Sequence, residues 1–350
     1  MSDERILITG ANGFLGQELQ NFLIQEGVKF ASTDLQNRSL VNLGERCYTK
    51  ADLLIYEDCL NLTKGITTVI HLAAKVPLSK NLQDISEVNV KGTRFLLESC
   101  LQNGVKKFIF LSSSAVFGVP TQLPANLYSK PKPFEIYGKS KLEAENFLLE
   151  QTEKMAIQII RPRTILGNGR GGIIGILNRW VSASLSIFLL NNGRYSYQLI
   201  HVKDLVNAIY NATQLVDSHI FNLGAKNFKT FHEDLTDFIS AVGSKSKLLN
   251  LPSILVSFPL IVLSKLNILP FARYQIIMYS REMYFDSSND WDILGYQPKF
   301  SNLDCLVDSF ESYKTKMIDN PNPSGLSIHQ KPTSSKLIDF LYKLQKLISN

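Results

Sequence analysis

The chain has 350 residues, of which 45% are apolar and 19% charged, and its formal net charge is +6. This is the balance of a soluble globular protein long enough to bury one large core or two smaller ones, and it excludes a disordered or fibrous chain. The basic residues are scattered through the sequence, so no nucleic-acid footprint is expected, although the modest positive charge suits anionic substrates or a membrane surface.

In chain order, RILITG (5–10) reads as a strand and FLGQELQNFLIQEG (14–27) as a helix. VKFASTD (28–34), TTVIHLAA (67–74) and VKKFIFLSSS (105–114) read as further strands, and DISEVNVKGTRFLLESCLQNG (84–104) as a helix ending at Gly104. The strands are continuous apolar runs, as in a parallel sheet covered on both faces. Repeated strand–helix–strand units predict an α/β, Rossmann-type doubly wound parallel sheet over residues 1–165.

From 166 to 318 the pattern loosens into a smaller, mostly helical C-terminal lobe with segments returning to the sheet. It contains the loop GNGRGG (167–172) and the strand-like runs YQLIHV (197–202) and MYFD (283–286). LPSILVSFPLIVLSKLNILPF (251–271) is apolar but broken by Pro252, Pro259 and Pro270 and carries Lys265 and Asn267, which argues against a membrane span. A packed core or lid is expected there, with a membrane- or substrate-touching surface as the alternative. Residues 319–350 read as a linker followed by an amphipathic helix, with Leu337, Phe340, Leu341, Leu344 and Leu347 on one face and lysines on the other. Such a helix suits peripheral membrane contact, packing on its own domain, or a second subunit.

The cysteines Cys47, Cys59, Cys100 and Cys305 have no CxxC or metal-like spacing and the histidines are dispersed, so free thiols and no metal site are expected. An apolar run begins within five residues of Met1, leaving no room for a signal peptide, and the expected location is the cytoplasm.

Two constellations carry chemistry. In ILITGANGFLG, Gly10, Gly13 and Gly16 follow an apolar strand and open a helix. Glycines there permit a tight turn, close approach of backbone to a pyrophosphate, and phosphate binding at the helix N-terminus. Asp34 ends the next strand, where a carboxylate accepts from the adenosine ribose and repels a 2′-phosphate, favouring NAD; nearby Arg38 leaves room for NADP.

The second constellation begins with Ser112, Ser113 and Ser114 at a strand end, where an α/β sheet binds its ligands. EIYGKSK (135–141) then places Tyr137 and Lys141 one helical turn apart. A tyrosine with a pKa near 10 needs on the order of 3–4 kcal/mol of phenolate stabilisation to act as a base at neutral pH. A neighbouring ammonium and an oxidised nicotinamide ring are plausible sources.

With TGANGFLG, ADL (51–53), HLAA (71–74), NVKGT (89–93), SSSAVFG, YGKSK, RP (161–162), HVKDL (201–205), FNLG (221–224) and LGYQP (294–298) in order, the chain resembles the extended short-chain dehydrogenase/reductases, the NAD-dependent epimerase/dehydratase superfamily. The resemblance implies an enzyme that exchanges a hydride between a hydroxyl or keto carbon and NAD, with NADP not excluded. It implies a catalytic set of Ser113, with Ser112 and Ser114 as alternatives, Tyr137 and Lys141. It further implies cofactor contacts at Gly10, Asn12, Gly13, Phe14, Leu15, Gly16, Asp34, Asp52, Leu53, Leu72, Ala73, Ala74, Lys75 and Asn89, together with Tyr137 and Lys141. His71 and His201 are expected to be framework histidines.

The chain departs from the nucleotide-sugar pattern. Tyr197 stands where those enzymes carry a pyrophosphate-gripping arginine, Arg194 is displaced, and Arg281 lies outside the usual glycine–aspartate context. Ala115 and Val116 occupy the place of a dehydratase's acidic pair. The resemblance therefore leans to the 3β-hydroxysteroid dehydrogenase-like branch and a hydrophobic, sterol- or isoprenoid-like small-molecule substrate. A nucleotide-sugar 4-epimerase is the alternative. A homodimer through residues 84–104 and 136–153 would match a common contact of the superfamily. A non-catalytic nucleotide sensor would have eroded the Ser/Tyr/Lys set, which is intact here.

Overall fold

The computed structural model describes residues 5–44, 46–76, 83–251, 278, 281–319, 339, 342, 343 and 346. The apolar run 252–271, the linker 320–335 and most of the C-terminal helix predicted above lie outside these residues.

The chain divides into two compact units. The first gathers Met1–Arg163, Val202–Leu223 and Asp286–Pro298. Its strands β1 (Ile6–Thr9), β2 (Phe30–Asp34), β3 (Cys47–Lys50), β4 (Thr68–His71), β5 (Lys107–Leu111) and β6 (Ala156–Pro162) enter one sheet. After β6 come β7 (Thr164–Leu166), β8 (Ile187–Leu190) and β9 (Leu199–His201) of the second unit. The chain then returns for β10 (His219–Leu223) and leaves again for β11 (Leu248–Leu251). The sheet is parallel throughout, in the order β10-β6-β5-β4-β1-β2-β3. Successive strands are added to one side of β1 (β2, β3) and then to the other (β4, β5, β6), so the C-terminal ends of β1 and β4 flank a topological switch point, where doubly wound sheets bind ligands.

All four residues of β1 and of β4 are buried, as continuous apolar strands covered on both faces require. Leu7, Val69, Phe108, Phe110, Ile157 and Ile159 from the sheet pack with Leu96, Leu97 and Cys100 of α4 (Thr93–Gln102) and Ala144, Phe147 and Leu148 of α5 (Ile136–Leu149). At about 25 cal/mol per Å² of buried apolar surface, this layer is the main force fixing α5, and hence Tyr137 and Lys141, on the sheet.

The predicted helix 84–104 is three segments: a turn of α-helix at Gln83–Ser86, a π-helical turn at Glu87–Gly92, and α4. π-turns are rare and concentrate at functional sites. This one contains Asn89. The sequence reading omits β3 because it is a short edge strand with mostly exposed residues and no apolar run.

In the second unit, β8 pairs with β11 and β7 with β9, both parallel. Its core joins Leu166, Trp180, Val181, Leu199, Leu235, Phe238 and Phe310. The run 197–202 is shorter than predicted, since a helix begins at Val202. MYFD forms no continuous strand, only bridges at Met283, which pairs with Tyr197, and at Phe285. The reason is a side chain: Gln198 Oε1 accepts the Phe285 N–H at 2.9 Å and Nε2 donates to the Phe285 carbonyl at 3.3 Å, substituting for a ladder partner. Among the described residues no helix is long and apolar enough to cross a membrane.

Candidate active site

The glycine loop is shaped by backbone contact. Gly10 has φ +70°, and a Cβ there would lie 2.6 Å from the Ala73 nitrogen. A Cβ on Gly16 would lie 2.3 Å from the Gly10 carbonyl oxygen. The exit of β4 thus runs directly against the loop: Leu72 N–H donates to the Thr9 carbonyl and Ala73 N–H to the Thr9 hydroxyl. Gly13 is the N-cap of α1 (Phe14–Gln25) and offers no side chain to the first-turn N–H groups. Phe14 and Leu15 bury their side chains, so what they can offer an anion is those N–H groups. This cradle, which side chains would fill, fits a pyrophosphate.

Asn12 is buried, and its side chain is a fastener for residues 36–40. Its amide donates to Gln36 Oε1, the Arg38 carbonyl and Tyr48 Oη, and its Oδ1 accepts from Leu40 N–H. Its own N–H donates to Asp34 Oδ2 at 3.0 Å, while Asp34 Oδ1 accepts from Leu35 N–H at 2.8 Å. Asp34 is therefore fixed as a half-buried carboxylate with remaining lone pairs for hydroxyl donors. Burial and the Asp34 charge push the Tyr48 phenol up to about 12. Asp52 is tied down locally, its N–H to Asp58 and its Oδ1 from Leu54 N–H, and Leu53 is buried.

A buried chain of hydrogen bonds runs from the glycine-loop strand to α5. His71 Nδ1 pairs with Thr9 Oγ1 at 2.7 Å and Nε2 with Thr93 Oγ1 at 2.9 Å. Because the Thr93 hydroxyl donates to the Asn89 carbonyl, Nε2–H is the donor to Thr93 and Nδ1 the acceptor from Thr9. Burial, with Lys141 nearby, lowers His71 to about 3 and keeps it neutral. His71 is thus a framework histidine. His201, in the second unit, is also buried, stacks on Phe300 and pairs with Asp308 at 3.1 Å.

Asn89 continues the chain: its amide donates to Ser140 Oγ at 3.1 Å, and Ser140 donates to the Tyr137 carbonyl. It also grips both backbone groups of Lys75, the residue after half-buried Ala74.

The three serines separate by partner. Ser112 Oγ donates to the buried Glu145 carboxylate, and Ser114 Oγ accepts from Arg163 Nη1 at 2.9 Å. Ser113 is half-buried and its Oγ accepts the local Ala115 N–H at 3.1 Å, which leaves its O–H to donate. Tyr137 is half-buried in the first turn of α5, whose N-terminus is capped by Glu135 through the N–H groups of Tyr137 and Gly138. Burial raises the Glu135 pKa, opposed by those two bonds. Lys141 is buried, with Nζ donating to the Leu111 carbonyl at 2.8 Å and lying 4.6 Å from the Phe110 ring centroid. Burial pushes its ammonium down to about 7, and the Glu145 charge pulls the other way.

Every predicted site residue thus belongs to the first unit. The sequence reading missed Glu145, Arg161 and Arg163. Glu145 is four residues after Lys141 on one helix, a spacing that signals a shared face. In the second unit Tyr197 pairs its hydroxyl with Thr164 Oγ1 at 2.9 Å, while Arg194 and Arg281 are exposed.

The model of the NAD dependent epimerase/dehydratase family matches residues 6–224. The chain belongs to this family. Among its relatives, the uncharacterized protein y4nG of Sinorhizobium fredii is 32% identical over 98% of this chain and 86% of its own. The human sterol-4-alpha-carboxylate 3-dehydrogenase, decarboxylating, is 28% identical over 67% of this chain and 64% of that one. The UDP-glucose 4-epimerase of Halalkalibacterium halodurans is 29% identical over 63% of this chain and 75% of that one. As a member of the epimerase/dehydratase family the protein is an extended short-chain dehydrogenase/reductase, and NAD is its cofactor.

Proposed function

We propose that the protein oxidises or reduces a secondary alcohol or ketone carbon on a hydrophobic substrate, with Ser113, Tyr137 and Lys141 as its catalytic residues. The observation that carries the reading is the sorting of the serines: Ser112 gives its proton to Glu145, Ser114 is buried beside Arg163, and half-buried Ser113 keeps its O–H in the unit that holds Tyr137 and Lys141.

The glycine loop and the N-terminus of α1 would hold the pyrophosphate of NAD, Asp34 the adenosine ribose, and the segment Leu72–Lys75, braced by Asn89, would line its path. When bound, NAD supplies the hydride acceptor or, reduced, the donor. Tyr137 takes the proton from the substrate hydroxyl or returns it to the forming alkoxide. Ser113 donates to the same oxygen and orients it. Lys141, anchored at the Leu111 carbonyl, favours the phenolate by its charge.

Two observations support a hydrophobic substrate: Tyr197 occupies the place of the diphosphate-gripping arginine and is paired with Thr164, and the human sterol dehydrogenase is among the relatives. The second reading, a nucleotide-sugar 4-epimerase, is favoured by the kinship with the Halalkalibacterium enzyme.

Assay of the nucleotide released from freshly purified, denatured protein distinguishes them. An empty protein that binds NADH reversibly and turns over hydrophobic alcohols is the expected result; stoichiometric retained NAD with sugar-nucleotide turnover would establish the epimerase. Tyr137→Phe should abolish turnover while NAD affinity stays within a few-fold, and a near-normal rate would remove Tyr137 from the mechanism.

A further inference from the structure

Glu145 is buried on α5 and receives three charge-assisted bonds. Arg161 Nε donates to Oε1 at 2.9 Å and Nη2 to Oε2 at 2.5 Å, and Ser112 Oγ adds a short contact to Oε1. Arg161 is itself buried, with its guanidinium 5.1 Å from the Phe117 ring centroid in the turn that follows Ser113. Backbone joins the same elements, since Ser112 N–H donates to the Ile160 carbonyl at 2.7 Å. One cluster therefore fastens the three elements carrying the proposed chemistry: the end of β5 with Ser113, the end of β6, and the helix with Tyr137 and Lys141.

A buried arginine–carboxylate pair is a poor source of net stability, since desolvating both ions offsets most of their attraction. A pure packing role would be met equally well by apolar side chains. What apolar residues could not supply is a fixed negative charge one turn from a buried ammonium.

We propose that Glu145, clamped by Arg161 and Ser112, is a positioning residue of this site that sets the register of Ser113 against α5 and holds Lys141 in its charged form. This rests on the catalytic role assigned above to Lys141.

The groups facing Lys141 are the Leu111 carbonyl and Phe110 ring of β5, neutral His71 of β4, Tyr137 one turn before it and Glu145 one turn after it, with Arg161 of β6 beyond Glu145. Within this set Glu145 is the negative charge, and burial of Lys141 works against its ionisation.

The decisive measurement is the titration of Lys141 in the cofactor-free protein, followed by NMR of ¹⁵N-lysine and assigned with Lys141→Met. Glu145→Gln should move its midpoint down by about one pH unit. The alkaline limb of kcat/KM should move with it while NAD affinity stays within about threefold. If Glu145→Gln alone fails to fold, the double variant Glu145→Met with Arg161→Met replaces the pair by apolar groups of similar length, an exchange buried pairs commonly tolerate. A downward shift is expected there too, smaller because the Arg161 charge leaves with that of Glu145. A midpoint that stays in place in a folded variant overturns the proposal. A Tyr137→Phe enzyme that still turns over would overturn the functional reading and leave this titration unaffected, so the two failures are separable.

Discussion

Asn89 holds Lys75 by both of its backbone groups, accepting from its N–H at 2.8 Å and donating to its carbonyl at 3.0 Å. The π-helical turn that carries Asn89 gives it this reach, and the same amide extends to Ser140 on the helix of Tyr137. One side chain thus braces the segment after β4 and the start of α5. Asn89→Ala should lower stability by about 2 kcal/mol, because both backbone groups of Lys75 and the Ser140 hydroxyl lose a partner. It should also weaken NAD binding by about tenfold, as the segment beside the glycine loop loosens. Urea unfolding and calorimetric titration with NAD check both effects, and unchanged affinity would confine Asn89 to the framework.

Opposite phenotypes are expected within the serine run. Ser113→Ala should reduce kcat by roughly 10²–10³-fold, the cost of one donor to a reacting oxygen, with only a small drop in melting temperature from the lost bond to Ala115 N–H. Ser112→Ala should instead cost about 1–2 kcal/mol of stability, because it removes a donor from buried Glu145. Steady-state kinetics and thermal melts on the pair test this; the reverse pattern would transfer the catalytic role to Ser112.

Asp34 is held by the N–H groups of Asn12 and Leu35 at the end of β2. Removing its charge in Asp34→Ala should relax the preference for NAD over NADP, measured as the ratio of kcat/KM for the two. An unchanged ratio would take Asp34 out of the cofactor site.

Lys141 makes stability depend on pH. Burial lowers its folded-state pKa from 10.5 to about 7, so between these values the unfolded chain binds more protons. The contribution of this group is therefore greatest above pH 10.5 and is lost as pH falls through about 7, where the buried ammonium costs most. Lys141→Met removes that cost. In the cofactor-free state it should raise the melting temperature, more at pH 6 than at pH 9, while abolishing turnover. An equal shift at both pH values would mean Lys141 is solvated.

Asp290 offers an independent check of the same linkage. Burial raises its carboxyl to about 6, against the bond it accepts from Asn222 N–H at 2.8 Å. A raised carboxyl stabilises fully below its unfolded value of 3.8 and loses that contribution as pH rises through about 6. Asp290→Asn should then stabilise at pH 8 and have little effect at pH 4, read from melting curves at the two pH values.

Much of this was visible along the chain. Gly10, Gly13 and Gly16 sit between an apolar strand and a helix, and Gly10 and Gly16 lie where a Cβ would strike backbone within 3 Å. Tyr137 and Lys141 share a helix because their spacing is helical, and Asp34 ends a strand as its apolar run implies. These are local relations: a strand's apolar run and a helix's four-residue repeat are written in consecutive residues. The sequence by itself determined the parallel sheet, the glycine-rich turn between β1 and α1, and the shared helix of Tyr137 and Lys141.

The tertiary structure decided among residues whose local signals are equal. Ser112, Ser113 and Ser114 are identical in the sequence, and they part only because Glu145, 33 residues beyond Ser112, and Arg163, 49 beyond Ser114, claim the outer two. The π-turn at Asn89, the tautomer of His71 and the clamp of Arg161 on Glu145 arise in the same way. A buried polar group must find partners wherever the packed fold brings them, and no local pattern of residues records which distant strand will supply them.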